Sequence, residues 1–262
     1  MLAPDETRLL TETFRKVLTS TPAAAVDAAL TGAGWPDLLI EHPDAATALV
    51  FRLLGETGTH APLLNDVLLH AAGQPLGGTM PLPGAGGRWL LWDRTGHRPD
   101  ALDPDLPLHP IPTGAELPLA PGRRALSWWL LGTGHAMLTL ARTHALTRTQ
   151  FGRPLSSFQA VRHRLAESLV ALEAAEATLS VATDELGALL AKAATGQAAL
   201  TTARHCQQVL AGIGFTAEHD LHRHVRRTLV LDGLLGSSRE LTREAGALIR
   251  TLGHAPRLAQ LT

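Results

Sequence analysis

The chain has 262 residues, 23 Lys and Arg against 24 Asp and Glu, and one cysteine, Cys206. That length supports one large domain or two small ones around a sizeable core. The balanced charge gives no global reason to expect nucleic acid or an anionic membrane as partner, and one cysteine excludes a disulfide framework or a multi-cysteine zinc site.

The N-terminus, MLAPDETRLLTETFRKVL, is a charged amphipathic helix pattern without a signal-peptide apolar region, and no apolar run reaches membrane-spanning length. A soluble, cytoplasmic protein without a membrane span is the expectation. Residues 5–31 read as two helices broken at TSTP, with Pro22 at a helix start after Thr21. GWPDLLIE reads as a turn, and residues 43–73 as one or two helices interrupted near GETGTHAP. The composition then changes, because residues 75–121 hold ten of the seventeen prolines. The one strand-like piece in that stretch is GRWLLWDRTG, residues 87–96.

From residue 122 the helical period returns. Helices are expected over 122–149, from Phe158 to about Ala194, and over 197–211, 216–235 and 238–252. On the second of these, Val161, Leu165, Leu169, Leu172, Ala175 and Leu179 recur at spacings of three and four, the core face of a bundled helix. Ser156 followed by Gln159 matches a capping box. The expected fold is mainly α: an N-terminal helical domain (1–78), a contracted, partly β middle segment (79–121) and a C-terminal bundle of four or five helices (122–262).

Three stretches could carry chemistry. RTQFGRPLSSFQAVRHRLAE, residues 148–167, places Phe151 and Phe158 on either side of a helix start in a chain with only five Phe. Arg148 would sit in the last turn of the preceding helix, where a cation complements the dipole. QQVLAGIGF, residues 207–215, ends a helix at Gly212; such glycines serve either as a helix cap or for close approach of a ligand. In EHDLHRH, His219 and His222 share a helical face, but His224 points elsewhere and no carboxylate completes a metal set. Ion pairs of Arg223, Arg226 and Arg227 across an interface fit that stretch better, and Glu167, Glu173 and Glu176 read as a solvated or salt-bridged face. No phosphate loop, nucleophile elbow or GxGxxG fingerprint is present.

In this order the stretches resemble the acyl-CoA dehydrogenase family. ALTRTQFGRPLSSFQAVRHRLAE is similar to the family's R-x-Q-F-G turn between two long helices, and QQVLAGIGFTAEHDLHRHVRR to its Q-x-x-G-G-x-G-[FY]-T run. GWPDLLIE and LLGETGTHAPLLNDVLL resemble the first helical domain more loosely. The resemblance implies a flavoenzyme with FAD at a subunit interface. Arg148 would contact the diphosphate, Gln150 and Phe151 would reach the neighbour's flavin with Phe151 near adenine, Phe158 and Gln159 would belong to the same surface, and Gln208 and Gly212 would line the adenosine side. A guanidinium suits a diphosphate and an aromatic ring stacks on adenine.

The departures from the family pattern matter as much. Its dehydrogenation needs a carboxylate to take the α-proton while hydride leaves Cβ for flavin N5. The family's usual glutamate position is here Leu235, in LDGLLGSS, and the alternative position used by a subset falls on Gly122. Asp232 and Glu116 are the nearby carboxylates. A further adenine-side Thr-x-Gln reads Ser237-Ser238-Arg239, and the middle segment is too short and proline-rich for a full β-barrel. The chain therefore resembles the short, catalytically degenerate subunit of actinobacterial heterotetrameric, steroid-type acyl-CoA dehydrogenases. That implies no catalytic residue and no metal of its own, FAD as cofactor, an α2β2 assembly with a full-length dehydrogenase-like partner, and a bulky acyl-CoA substrate. A stand-alone homo-oligomeric flavoenzyme with a displaced base such as Asp232, and a non-flavin helical scaffold, are the alternative readings.

Overall fold

The structure is a computed structural model and describes residues 2–255. Five helices come first: α1 (Pro4–Ser20), α2 (Val26–Gly32), α3 (Trp35–Glu41), α4 (Pro43–Thr57) and α5 (Leu63–Ala71). GWPDLLIE is therefore helix α3 and not a turn. Gly34 takes a left-handed N-cap conformation and Pro36 sits in the first turn, where a missing N–H costs no helical hydrogen bond.

The middle segment forms a three-stranded antiparallel sheet, β1 (Pro81–Gly84), β2 (Arg88–Trp92) and β3 (Leu108–Ile111), with β2 central. Two of these strands escaped the sequence reading because prolines 81, 83 and 110 mask them. Those prolines lie on the outer strands, where a lost N–H is tolerated, and β2 has none. Two residues of α5 organise the segment from below. Buried Asn65 donates to the Trp92 carbonyl (3.0 Å) and accepts from the Met80 N–H (3.1 Å). Asp66 accepts from the Trp35 indole (3.0 Å) and from Arg94, which also holds Asp27 through two 3.0 Å bonds.

The bundle comprises α6 (Leu119–Thr147), α7 (Gln159–Ser180), α8 (Glu185–Leu210), α9 (Leu221–Gly233) and α10 (Ser238–Leu252). The expected single helix from Phe158 to Ala194 is two helices, broken at Val181–Thr183, with the Asp184 carboxylate capping α8 through the Gly187 N–H (2.7 Å). Leu169, expected in the core, is 44% exposed. The capping box at Ser156 does not form: α7 starts at Gln159 with Phe158 as N-cap and no side-chain cap bond. The helix expected from 216 starts at Leu221, after a 3₁₀ turn and a loop. The C-terminal domain expected to reach 262 includes residues 256–262, which lie outside the described residues.

Helix α4 crosses α6 with the backbones in contact. A Cβ on Gly55 would collide with the Trp129 carbonyl and Thr133 amide, and one on Gly132 with the Arg52 carbonyl. Around this crossing runs an aromatic row, Trp35–Phe51–Trp129–Trp92, with centroid spacings of 6.1, 5.7 and 5.8 Å. Each such ring buries roughly 150–250 Å², so the row joins α3, α4, α6 and β2 into one core.

Candidate functional site

The sequence TQFGRP folds as a two-residue hairpin. β4 (Thr149–Gln150) pairs with β5 (Arg153–Pro154), and the turn residues Phe151 and Gly152 have φ of 53° and 77°. Two positive φ values define the type I′ turn that suits a tight hairpin. Glycine adopts it freely, whereas Phe151 is strained and its ring is 91% exposed. The two phenylalanines behave differently. Phe158 is half-buried, with the Arg153 guanidinium 4.2 Å above its ring, and Phe151 meets it edge-on at 6.2 Å. Arg148 caps α6 through its backbone, its N–H reaching the His144 carbonyl (2.9 Å), and among the described residues its side chain makes no ion pair. Gln150, Gln159, Gln208 and Gly212 are exposed.

The second signature lies at the same end of the bundle. Leu155, Val161 and Leu165 pack against a cluster that includes Cys206, Val209 and Leu210. His144 and His219 stand edge-to-face at 6.5 Å, joining the end of α6 to the loop before α9. Helix α8 ends at Leu210, before the Gly212 at which the glycine run was expected to end it. Its C-cap, Ala211, sits at φ 53°, ψ −135°, a region costly for a side-chain-bearing residue. The family pattern has glycine at this position, a substitution the sequence reading passed over. Gly212 faces open space, whereas a Cβ on Gly214 would lie only 2.8 Å from the Gln207 carbonyl and 2.9 Å from Leu210 Cβ. Ile213 and Phe215 are exposed.

The two positions that the resemblance aligns with a family base lie side by side. A Cβ on Gly122 would be 2.8 Å from Leu235 Cδ1 and 2.8 Å from Leu68 Cδ2. Leu235 is 1% exposed and sits at φ 56°. Its N–H bonds the Pro83 carbonyl (2.7 Å), its carbonyl accepts from Arg123 (3.3 Å), and Leu234 bridges Gly84. Strand β1 thus lies directly on this loop. Leu68, the third member, carries no sequence signal linking it to the other two.

The nearby carboxylates have other work. Asp232 accepts from the Ser238 N–H (3.1 Å) and packs on Gly196. Beside it Lys192, fully buried, donates to the carbonyls of Asp232 (3.1 Å) and Gly236 (3.4 Å); desolvation pushes its pKa down to about 8, with Asp232 opposing. Glu240 forms a capping box with Ser237 and accepts from the Gly86 N–H (2.8 Å). Those hydrogen bonds, Ser237 first, hold its carboxyl down at about 2. Glu116 is exposed and lines a cleft of about 470 Å³ with Trp89, Arg123, Glu185 and Glu244.

In the histidine stretch, His219 Nδ1 accepts from the Leu221 N–H (3.1 Å) and His222 Nδ1 donates to the His219 carbonyl (2.8 Å). Among the described residues no group of three or more His, Cys, Asp or Glu could hold a metal. Arg227 forms a buried ion pair with Asp103, and Arg223 lies 4.0 Å from Asp105, so α9 is tied to the middle segment within the chain. Arg226 has no such pair among the described residues. Glu176 binds Arg52 of α4. His224 is pushed down to about 4, first by burial and then by Arg227 and Arg223.

Residues 115–247, just over half of the chain, match the family described as acyl-CoA dehydrogenase, C-terminal domain. The chain belongs to the acyl-CoA dehydrogenase family. It is 38% identical to acyl-CoA dehydrogenase FadE34 of Mycobacterium tuberculosis over 127 residues, which are 45% of this chain and 18% of that one. To acyl-CoA dehydrogenase IpdE2 of the same organism it is 33% identical over 168 residues, 60% of this chain and 53% of that one. The matches thus span about half, or less, of these curated relatives. In fold it is similar to a chain of the Tcur3481-Tcur3483 steroid ACAD G363A variant (TM-score 0.73, 19% identity, 95% of this chain and 99% of that one). It is also similar to a chain of the ChsE4-ChsE5 complex from Mycobacterium tuberculosis (TM-score 0.68, 18% identity, 98% and 99%). Acyl-CoA dehydrogenase folds therefore match this chain along nearly its whole length. No helix among the described residues is long and apolar enough to cross a membrane.

Proposed function

We propose that this chain is the subunit that completes the FAD site of an unlike, full-length acyl-CoA dehydrogenase-like chain in a cytoplasmic α2β2 assembly, and that it carries no base of its own. The observation that carries this reading is the pair of family base positions, Gly122 and Leu235, packed on each other without a carboxylate and sealed by Leu68 and β1. A general base must come within about 2.6–3.2 Å of the proton it takes, or act through one water. Neither residue has a group that can accept a proton.

The hairpin end fits a dinucleotide held by a neighbour. Arg148 offers a guanidinium that no carboxylate among the described residues occupies, suited to a diphosphate. Phe151 offers a strained, exposed ring for stacking, with Gln150 beside it on β4. Phe158 and Gln159 support that tip, and Gln208 with the open backbone at Gly212 gives an approach for the adenosine side. FAD, when bound, supplies the hydride acceptor for α,β-desaturation of a CoA thioester. This chain's part is to bind and orient the cofactor and to keep water from it, and the α-proton goes to the partner's carboxylate. A bulky, steroid-type acyl group is the substrate class suggested by the fold similarity to a chain of a steroid ACAD.

Co-expression with a full-length acyl-CoA dehydrogenase-like chain from the same genome tests the reading. The expected result is a stable complex that carries flavin and desaturates acyl-CoA, while this chain alone carries neither flavin nor activity. A single-chain preparation that retains FAD and turns over acyl-CoA would overturn it. One observation favours such a self-sufficient enzyme: Glu116 is an exposed carboxylate on the cleft beside Arg123, whose guanidinium holds the Leu235 carbonyl.

A further inference from the structure

From Leu117 to Ala166 the chain contains no Asp or Glu and seven arginines. Arg123 and Arg124, at the start of α6, are paired with Glu185, Glu244 and Asp44. The other five, Arg142, Arg148, Arg153, Arg162 and Arg164, are exposed and make no ion pair among the described residues. All five lie at the hairpin end: two in or just after the last two turns of α6, one on β5, two in the first two turns of α7.

This placement works against the chain's own fold. The N-terminus of α7 has the positive end of the helix dipole, no acidic residue in its first turn, and no side-chain cap. Arg153, Arg162 and Arg164 add like charge there. Exposed apolar side chains stand among these cations: Leu146 at the end of α6, Phe151 at the hairpin tip, and Ile213 and Phe215 at the neighbouring end of α8. An apolar centre with a charged surround is the anatomy of a protein interface. A dinucleotide's diphosphate carries two negative charges, and Arg148 alone can face it in bidentate fashion. Four cations remain.

We infer that the hairpin end docks on an acidic protein surface, and that the unlike subunit supplies it as carboxylates surrounding its cofactor cleft. The inference rests on the heteromeric reading above and adds the chemistry that selects the partner. A second copy of this chain meeting it end to end would oppose ten arginines, which disfavours self-pairing there.

The test is binding between the purified chain and the co-expressed full-length partner, measured for wild type and for a fourfold variant, Arg142→Glu, Arg153→Glu, Arg162→Glu and Arg164→Glu, with Arg148 retained. The isolated variant should melt close to wild type, because two of its new carboxylates favour the α7 N-terminus and offset the lost contact of Arg153 with the Phe158 ring. The expected results are binding weakened on the order of a hundredfold or more by reversal, and wild-type affinity that falls steeply with added salt. Undiminished binding by the folded variant, with salt-insensitive wild-type binding, overturns the inference and leaves the heteromer intact. Absence of any complex with wild type overturns both. Salt-sensitive self-association of wild type that the reversal abolishes assigns the surface to a second copy and overturns it too.

Discussion

Leu235 occupies the space that a side chain on Gly122 would need, its Cδ1 lying 2.8 Å from the position of that missing Cβ. Each is a position that the resemblance aligns with a family base, and Leu235 as packed leaves no room for a carboxylate on residue 122. Leu235→Glu would bury a charge among Leu68, Pro83 and Gly122. It should destabilise the isolated chain by about 3 kcal/mol or more and confer no activity. Chemical denaturation and an acyl-CoA turnover assay check both halves; a stable, active variant would show an open site where the structure has a filled one.

Removal of the nearby carboxylates separates structure from chemistry. Glu116→Gln should leave turnover of the assembled enzyme within a few-fold of wild type. Asp232→Asn should lower stability, because the carboxylate sits beside buried Lys192 and caps Ser238, yet leave the rate per bound flavin within the same range. Loss of a general base costs at least ~100-fold. A drop of that size at either position, with flavin content intact, would falsify the partner-subunit reading.

Arg148→Ala should weaken flavin retention by about 1.5–3 kcal/mol, the cost of a charge-assisted contact, or roughly ten- to hundredfold in affinity. Flavin release on dilution of the assembled complex reads it directly. The isolated chain should melt as wild type, since no ion pair among the described residues is lost.

Strain makes an opposite prediction at two turns. Ala211→Gly should raise stability by about 1 kcal/mol, relief of positive-φ strain outweighing the added freedom of the unfolded chain. Phe151→Asn should also leave stability unchanged or raised, because Asn accepts φ > 0 and the ring buries little. It should nevertheless impair flavin retention. Thermal melts of the isolated chain and flavin content of the complex, taken together, distinguish the two sites.

Histidines set the response to acid. His224 is pushed to about 4 in the folded chain from 6.5, and burial also lowers His60, His135 and His144. Between the two values the unfolded state binds more protons, so stability rises with pH there and falls as pH drops from about 6.5 towards 4. For His224 alone the loss is on the order of 2–3 kcal/mol. Urea midpoints across that window should fall less for His224→Gln than for wild type; parallel curves would show that this ring titrates normally.

How much was legible in the sequence depended on whether a residue's reason was local. Helix α10 was readable at Ser238–Leu252 because its apolar spacing is regular and Ser237 and Glu240 form a capping box. The R-x-Q-F-G turn and the glycine run, remote in the sequence, meet at one end of the bundle, which no local pattern in either stretch announces. Strands β1 and β3 were hidden because their prolines argue against a strand unless its edge position is known. The break between α7 and α8 was hidden because alanines on both sides continue the helical pattern across it. Ser156 was misread because its spacing fits a cap that the 3₁₀ turn at Leu155–Ser157 does not build. The adjacency of Gly122, Leu235 and Leu68 joins three remote parts of the chain, and only the resemblance linked the first two.

The aromatic row around the α4–α6 crossing gives the molecule an optical handle. The chain has five tryptophans and no tyrosine, so its near-ultraviolet dichroism comes chiefly from indoles. Trp92 and Trp129 stack at 5.8 Å with their planes 26° apart, one on β2 and the other on α6. Chromophores that close couple strongly. If the proline-rich segment lifted from the bundle while the helices stayed folded, that signal would collapse with the far-ultraviolet spectrum unchanged. The seating of the sheet on the bundle can therefore be followed in solution without a label, in the isolated chain before any partner or flavin is added.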